Sequence, residues 1–503
     1  MKKIAVIELN MLSLKLTIAA ITKQNSVVVL EQIKEPINYL VDVEADGIIK
    51  ASKINDTVQI CQGFKSILDK YEVVETKCLA YRSFYNVKNE TSFFEQVYNK
   101  CDLKFTEMTD EDEATAFYFA AVNSIDVSRA TAFVVNLHDT IVLSYSKRCI
   151  FDKAIIPYGS LNILNELESG LEPSAICEKI AEIFTPELKK VEWLEKIEPE
   201  STLIGLGNDF LNVCKLTRKV TKYPLELENA YVLTKENFDT TYKFLKGLEL
   251  SKATKIKGIS ADRADLILSA FAIYDAIFNH VKANNIVASK LGFSEGELNA
   301  MCNPSVTDKV YSDILGANIE TINNYYDVDP KFNEHVYNLA VILFKQLKVL
   351  HKLPRAYVKA LRIAANMYNC GHRISAYETN KSAYQVVLHS NLMGVSHKDI
   401  LLGAFTLLCF NLDDFNLAEW VKYKNLLAEE DMDAVKKLSV LVRLAMYLDR
   451  FNRKKILDIT CDILGDSIIV KTQTDGNANM ELREGKKIDA DFKKVFKKNL
   501  ELL

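Results

Sequence analysis

Short apolar segments rich in β-branched residues occur twice in the first 150 residues, each time as a pair separated by a polar turn. The first pair lies in residues 3–18 and the second in residues 131–145. Such runs are typical of β-strands, so each pair predicts a strand hairpin. Helical patterns follow each hairpin, and STLIGLG at 201–207 predicts a strand that ends in a glycine turn. Two similar α/β units in tandem predict a duplicated domain pair with a cleft between them.

The apolar period changes after NPSVTDK at 303–309, a polar linker that contains proline. Residues 334–353 and 355–369 carry apolar side chains at i, i+3 and i+4, which indicates amphipathic helices. Strand patterns return in ILDITCDI and SIIVKTQ, and the chain is expected to finish on a lysine-rich helix. The predicted domains are two α/β units, a helical unit and a small α/β unit, at 1–122, 123–302, 303–445 and 446–503.

Composition narrows the function classes. A formal net charge of −4 over 503 residues argues against nucleic-acid binding, which needs a basic surface. The ten cysteines stand singly without a CxxC pair, as reduced thiols do in cytosolic proteins. No run approaches the ~18 apolar residues of a membrane span, so we expect a cytoplasmic protein with no membrane partner. Only 17 residues are glycine, roughly half the ~7% of an average chain, so glycine-rich phosphate loops are scarce.

The turn of the second hairpin is NLHD, which holds Asn136, His138 and Asp139 and no glycine. It could be a catalytic acid/base dyad or only the end of a hairpin. Adjacent residues at a strand end point to opposite sides, which favours the hairpin end.

A long segment, 258–298, resembles the Ppx/GppA family of exopolyphosphatases and guanosine pentaphosphate phosphohydrolases. It matches that family's run from its RAD motif, here 263–265, to its S-x-x-G-x-x-E-G motif, here Ser289, Gly292, Glu295 and Gly296. Segments 155–166 and 334–347 are similar as well. The resemblance covers nearly the full length. It implies two ribonuclease-H-like (actin/hexokinase-type) α/β domains forming a cleft, then an all-α HD-like domain and a small C-terminal α/β domain.

The family's phosphate motifs fall on residues that depart from them. D-x-G-S-N-S-x-R-L corresponds to residues 8–16, D-I-G-G-G-S to 136–141, and G-T-G-G-T to 205–209. The implied phosphate-binding positions are Glu8, Asn10, Ser13, Lys15, Asn136, His138, Asp139, Gly205, Gly207 and Asn208. The A-T-x-A-x-R stretch corresponds to residues 80–85, which puts Tyr85 where an arginine would meet phosphate.

These departures remove the chemistry that a phosphate turn needs. Glycines let backbone amides approach an anion and adopt φ > 0, whereas His138, Asp139 and Thr140 bring side chains there. Asp139 adds a like charge, and Asn136 replaces an aspartate that would help to hold Mg²⁺. We therefore predict an ordinary hairpin end in which Asn136 or Asp139 accepts local backbone bonds, with very low or absent hydrolysis.

Glu113 matches the glutamate of the family's E-E-A motif, which is proposed to orient the attacking water. Asp110 and Glu113 also have capping-box spacing at the start of a predicted helix, so both roles stay open. The residues themselves indicate no cofactor, and the resemblance implies Mg²⁺ only if the protein is active.

The later domains have lost motifs too. The family's L-H-D-I-G-H corresponds to residues 367–372, where Tyr368 and Asn369 replace the His-Asp doublet and His372 remains, and His335 remains upstream. Two histidines without a carboxylate are more often structural, so we predict no metal there. Four lysines expected on the last helix fit either a polyanion site or, more simply, a solvated face: Lys493, Lys494, Lys497 and Lys498.

Three functions follow. The first is a binding or regulatory protein for polyphosphate or a (p)ppGpp-type nucleotide, with hydrolysis lost or much reduced. The second is an active phosphohydrolase that uses Glu113. The third is a structural homodimer with a vestigial cleft. A homodimer is expected from the resemblance in each case.

Overall fold

The structure, a computed structural model, describes residues 2–22, 26–82, 84, 87–147, 149–198, 201–247, 266–302, 310–412, 415 and 417–503. Tyr85 and the RAD motif at 263–265 lie outside these residues. The chain divides into two compact units, Met1–Ile314 and Leu315–Leu503. The predicted division into four domains is finer than this and stays a prediction.

The first unit contains two sheets. Strands β1 to β5 of the first sheet are Lys3–Asn10, Ser13–Ile21, Val27–Pro36, Glu75–Ala80 and Phe105–Glu107. Strands β6 to β11 of the second are Arg129–Val135, Thr140–Ser146, Ile150–Ile156, Thr202–Leu206, Val232–Thr234 and Asn285–Ala288.

The two sheets share one topology. The first has the order β3-β2-β1-β4-β5, and the second has the order β8-β7-β6-β9-β11-β10. In each, three antiparallel strands form a meander, and the strand that opens the meander pairs in parallel with the next strand along the chain. This repetition confirms the predicted pair of ribonuclease-H-like α/β domains. Strands β1 and β6 are almost fully buried, as expected for central strands covered on both faces.

Helices surround these sheets. Within the described residues, α1 to α10 are Leu40–Asp46, Ala51–Lys70, Glu90–Cys101, Asp110–Val122, Asn162–Asn165, Pro173–Lys189, Gly207–Val220, Lys235–Lys246, Ile267–His280 and Phe293–Cys302. One apolar cluster includes Val6 and Leu79 of the first sheet, Ala116 of α4, and Val134 and Leu206 of the second sheet. Helix α4 therefore joins the cores of the two sheets.

The second unit is mostly helical, as predicted. Its helices α11 to α20 are Ile314–Tyr325, Pro330–Gln346, Lys348–His351, Val358–Met367, Thr379–His389, His397–Leu408, Leu417–Val421, Glu429–Leu448, Asn479–Gly485 and Asp489–Phe496. Strands β12 to β14 are Ile456–Ile463, Ser467–Thr474 and Asn499–Leu502, and they form one small sheet in that order. No helix in the described part of the chain is long and apolar enough to cross a bilayer.

The lysine-rich C-terminus corrects one expectation. Helix α20 ends at Phe496, Lys497 adopts a left-handed conformation with φ of 58°, and strand β14 follows. The four lysines therefore do not share one helix, because only Lys493 and Lys494 lie on α20. Lys498 points back to the β12–β13 turn, where its ammonium donates to the carbonyl of Leu464 at 2.9 Å.

Candidate functional site

The NLHD turn closes the β6–β7 hairpin. Val135 pairs with Thr140, and the Asn136 amide donates to the Asp139 carbonyl at 2.9 Å. The predicted hairpin is confirmed. Leu137 leaves the second sheet and packs into the apolar cluster beneath the first, so this turn lies where the two sheets meet.

A neighbouring loop, residues 159–162, fixes the shape of the turn. The backbone amides of Ser160 and Leu161 donate to the carbonyls of Asn136 and Leu137, both at 2.9 Å. The Asn162 side chain donates to the His138 carbonyl at 2.8 Å. A Cβ at Gly159 would lie 2.3 Å from the Asn136 carbonyl oxygen, so only glycine fits there. Sequence reasoning noted this segment as family-like but did not predict its role.

The side chain of Asn136 bridges two carboxylates. Its Nδ2 donates to Glu113 Oε1 and to Asp139 Oδ1, both at 2.8 Å. This corrects our expectation for the turn: the carboxylate of Asp139 accepts from the side-chain amide of Asn136, and the local backbone N–H of Asn136 bonds to the Asp139 carbonyl instead. The His138 imidazole is not part of this pairing, and burial lowers its pKa.

Both bridged carboxyls have unusual acidities. Burial, then the charge of Asp139, raises the pKa of Glu113 well above its usual value, against the opposing effect of the Asn136 bond. Burial also raises the pKa of Asp139. A buried carboxyl favours its neutral form because the charge is poorly solvated.

Glu113 does not cap helix α4. The cap is Thr109, whose hydroxyl accepts from the Asp112 amide at 3.1 Å while Asp112 accepts from the Thr109 amide at 3.3 Å. The capping interpretation of Glu113 is therefore wrong, and its catalytic role stays a prediction. The neighbouring acids point elsewhere: Asp110 pairs with Arg82, and Glu111 pairs with Lys153 of β8.

Glu8, at the end of β1, is buried and bonded at both oxygens. The Tyr81 hydroxyl donates to Oε1 at 3.1 Å, and the Ser294 hydroxyl donates to Oε2 at 2.6 Å. Burial, then the charges of Glu8, Glu113 and Asp139, raises the pKa of Tyr81 well above its usual value. The Tyr81 hydroxyl is thus bonded to Glu8, and it is close enough to Glu113 and Asp139 for their charges to affect its pKa. The sequence did not single out Tyr81, because in the stretch 80–85 the departure at the arginine position, Tyr85, is the one that bears on phosphate, and the contact of Tyr81 with Glu8 joins residues far apart in sequence.

Lys15 is paired within the protein. Its ammonium lies 3.9 Å from Glu8 Oε2. Burial by itself lowers the pKa of Lys15, but Glu295 and Glu8 outweigh this and raise it. Asn10 and Ser13 have a structural task, since Asn10 Oδ1 accepts the amides of Leu12 and Ser13 at 2.9 and 3.0 Å and so closes the β1–β2 turn.

The third motif keeps its glycines for packing. A Cβ at Gly205 would overlap the Phe210 ring at 2.3 Å, and Gly207 starts α7 with φ of +84°. Asn208 is exposed. Asp209 is buried and accepts from the Ser160 hydroxyl at 2.6 Å, so a carboxylate also occupies the first turn of this helix.

The site does not fit Mg²⁺ as it stands. The amide of Asn136 lies between the two carboxylates that would have to bind the cation, and it presents hydrogens rather than an oxygen. No three or more His, Cys, Asp or Glu side chains in the described residues are grouped to hold a metal ion.

The second unit contains one pair that the sequence did not reveal. His335 Nε2 lies 4.0 Å from Asp449 Oδ2, so the argument that the remaining histidines lack a carboxylate is wrong for His335. The two residues are far apart in sequence, and no local pattern connects them. Asn369 accepts from Asn333 at 2.9 Å, and His372 is exposed.

Replacing Glu113 by glutamine is expected to stabilise the protein at high pH. The folded Glu113 carboxyl keeps its proton above the usual pKa, so the folded state binds more protons than the unfolded state between the two values. Stability therefore falls as pH rises through this window, by roughly 1.4 kcal/mol for each pH unit. Glu113→Gln keeps the Asn136 bond without the charge. The stability that the variant gains over the native protein should shrink as pH falls toward the usual carboxyl pKa. Urea denaturation at several pH values measures this.

The matched control is Glu111→Gln, an exposed glutamate in the same helical turn, which should change stability by less than about 0.5 kcal/mol. An equal gain from Glu113→Gln at every pH would show that ionisation is not the cause.

Known proteins resemble this chain in sequence and in fold. A bifunctional 3-dehydroquinate synthase/phosphatase from Fusobacterium nucleatum is 22% identical over an alignment of 302 positions, which covers 57% of this chain. The alignment covers 44% of that relative, so the chain spans less than half its length. Two solved structures share the fold. A Ppx/GppA family member from Aquifex aeolicus has a TM-score of 0.54 at 20% identity, and an exopolyphosphatase from Cytophaga hutchinsonii has 0.55 at 17%. Each match covers 61% of this chain and 99% of the other.

Family models match most of the sequence. The Ppx/GppA phosphatase family model matches residues 17–303, more than half of the chain, and the model of that family's domain III matches residues 314–486. The chain therefore belongs to the Ppx/GppA phosphatase family.

Proposed function

We propose that this protein is a binding or regulatory member of the family, with phosphohydrolase activity lost or much reduced, whose ligand is polyphosphate or a (p)ppGpp-type nucleotide. One observation carries the loss of hydrolysis: the Asn136 amide holds Glu113 and Asp139 together at 2.8 Å each. This bond occupies Oε1 of Glu113, one of the two oxygens through which the glutamate would orient water. The ligand class rests on the family alone.

The charges around the turn support the same proposal. Glu8, Glu113 and Asp139 face the Tyr81 hydroxyl, and Lys15 is already balanced by Glu8 and Glu295. A phosphate entering here meets carboxyl groups and no uncommitted cation among these residues, so nothing in this group offsets its charge.

Phosphate release from long-chain polyphosphate with Mg²⁺ tests this proposal. We expect release by the native protein to be indistinguishable from that by Glu113→Gln, with Glu111→Gln as the matched control. Thermal stabilisation by polyphosphate or by a guanosine polyphosphate would support the binding role, since a ligand that binds only the folded state raises its stability. Absence of both signals would favour a structural protein with a vestigial cleft.

A second candidate is an active phosphohydrolase in which Glu113 acts as general base. The raised pKa of this buried carboxyl favours it, because a base works best when its pKa lies near the working pH. Release that is rapid in the native protein and lost in Glu113→Gln but not in Glu111→Gln would establish this candidate.

A homodimer, with contacts from helices in the 303–445 region, is part of the proposal. Light scattering should then give a mass of about 114 kDa, twice the 57.0 kDa of the chain. A mass of 57 kDa that does not change with concentration would remove the dimer.

A further inference from the structure

Helix α10 follows the last strand of the second sheet, yet its polar side chains bond to the first sheet. Ser294 donates to Glu8 of β1 at 2.6 Å, and Glu295 accepts from Gln32 of β3 at 2.9 Å. Glu297 pairs with Lys77 of β4. Three residues within about one turn of the helix thus reach three different strands.

The same helix lies unusually close to helix α4. A Cβ at Gly296 would lie 1.8 Å from the Ala116 carbonyl oxygen, so the two backbones touch. Tyr311 extends these contacts beyond the helix. Its amide donates to Asn123 at the end of α4 at 2.9 Å, and its hydroxyl donates to Asn299 at 2.7 Å while accepting from the Val27 amide at 3.0 Å.

We propose that α10 together with Tyr311 is a clasp that holds the two sheets of the first unit in one fixed arrangement. The bonds to β1, β3 and β4 fix α10 to the first sheet, while its backbone contact with α4 and the bond from Tyr311 to Asn123 tie it to the helix that joins both cores. One sheet therefore cannot rotate against the other without breaking one of these two sets of contacts. Glu8 and Glu297 are 7% and 5% exposed, so breaking them apart from their partners leaves nearly buried carboxylates uncompensated. The clasp is therefore a conformational lock.

Glu8 links the clasp to the candidate site, because one oxygen accepts from Ser294 and the other from Tyr81. Opening the clasp removes one of the two hydrogen bonds that hold this carboxylate. The arrangement of the site therefore depends on the clasp, whether or not the site hydrolyses phosphate.

The test compares Lys77→Met with Lys235→Met. Lys77 of β4 pairs with Glu297 of α10. Lys235 is a partly buried lysine whose partners, Asp239 of α8 and Asp275 of α9, belong with it to the part of the first unit built around the second sheet. Methionine keeps the apolar stem in both variants. Ser294→Ala is a second clasp variant, milder because it removes a hydroxyl, for use if Lys77→Met does not fold.

Two measurements are made on the full chain. Hydrogen exchange in residues 293–302 should become roughly tenfold faster in Lys77→Met and stay unchanged in Lys235→Met. Spin labels on Ser66→Cys of α2 and Glu178→Cys of α6, in a Cys149→Ser background, report the distance between a helix beside the first sheet and a helix beside the second. Ser66 and Glu178 are exposed, and Cys149 is the exposed one of the ten native cysteines.

We expect one distance in the native protein and an added, different population in the clasp variants only. Faster exchange in 293–302 with an unchanged distance distribution would show that α10 only frays, and it would overturn the proposal. So would the same new population in Lys235→Met, or two populations already present in the native protein.

Discussion

We expect a variant with five substitutions to bind pyrophosphate about 10³-fold more tightly than the native protein. The substitutions are Asn136→Asp, His138→Gly, Asp139→Gly, Thr140→Gly and Tyr81→Thr. Each backbone N–H bond to a phosphate oxygen is charge-assisted and contributes roughly 1.5–3 kcal/mol. Three such bonds correspond to at least ~10³-fold in affinity. The same substitutions move a carboxylate from position 139 to position 136 and remove the amide that holds Glu113. Isothermal titration calorimetry measures the gain.

Two partial variants show which feature blocks the site. The four turn substitutions alone should raise the affinity for pyrophosphate less, because the Tyr81 hydroxyl still occupies the site beside Glu8. Tyr81→Thr alone should gain nothing, because no glycine turn is present to supply amides. Exopolyphosphatase activity of the unmodified protein at rates typical of an enzyme would contradict the argument from missing glycines.

Gly296→Ala is expected to destabilise the protein by about 3 kcal/mol or more, at the upper end of overpacking effects. The new methyl group would lie 1.8 Å from the Ala116 carbonyl oxygen and 2.6 Å from its carbon. Both are backbone atoms, so relief requires that helices α4 and α10 separate. Urea denaturation followed by circular dichroism measures the change.

Gly63→Ala is the matched control. Gly63 lies in helix α2, and a Cβ there would meet no atom within 4 Å. Alanine should therefore stabilise this helix by roughly 0.5–1 kcal/mol. If Gly296→Ala were as stable as Gly63→Ala, the close contact between α4 and α10 would not exist in solution.

The fold was largely predictable because its signals are local. Alternating and continuous apolar runs mark β1, β2, β6 and β7, and the repeated hairpin reveals the duplicated topology. Periodicity also identifies the helices of the second unit. The end of the chain was misjudged at Lys497, where one left-handed residue converts a helical pattern into a turn and a strand.

The site was predictable only in part, because its energetics come from residues distant in sequence. The motif positions pointed to Glu8, Glu113 and Asn136 as candidates. They could not show that Glu295 balances Lys15, or that Tyr81 reaches three carboxylates, since these contacts depend on how α10 and β4 pack. Spacing offered Asp110 and Glu113 as one possible capping pair, whereas the structure uses Thr109 and Asp112, because spacing alone does not fix which side chain turns outward.

The loop at 159–162 holds the backbone of the NLHD turn, whereas the chemistry of the turn lies in its side chains. It binds the turn through the carbonyl oxygens of Asn136, Leu137 and His138, which every amino acid possesses. Mutations at 138 and 139 can therefore accumulate over generations without unfolding the domain. A lineage can lose its catalytic residues one at a time, and a protein engineer can replace them in the same stepwise order. Gly159 and Asn162 do not share this freedom, because a Cβ at 159 would overlap the turn and the side chain of Asn162 bonds to it.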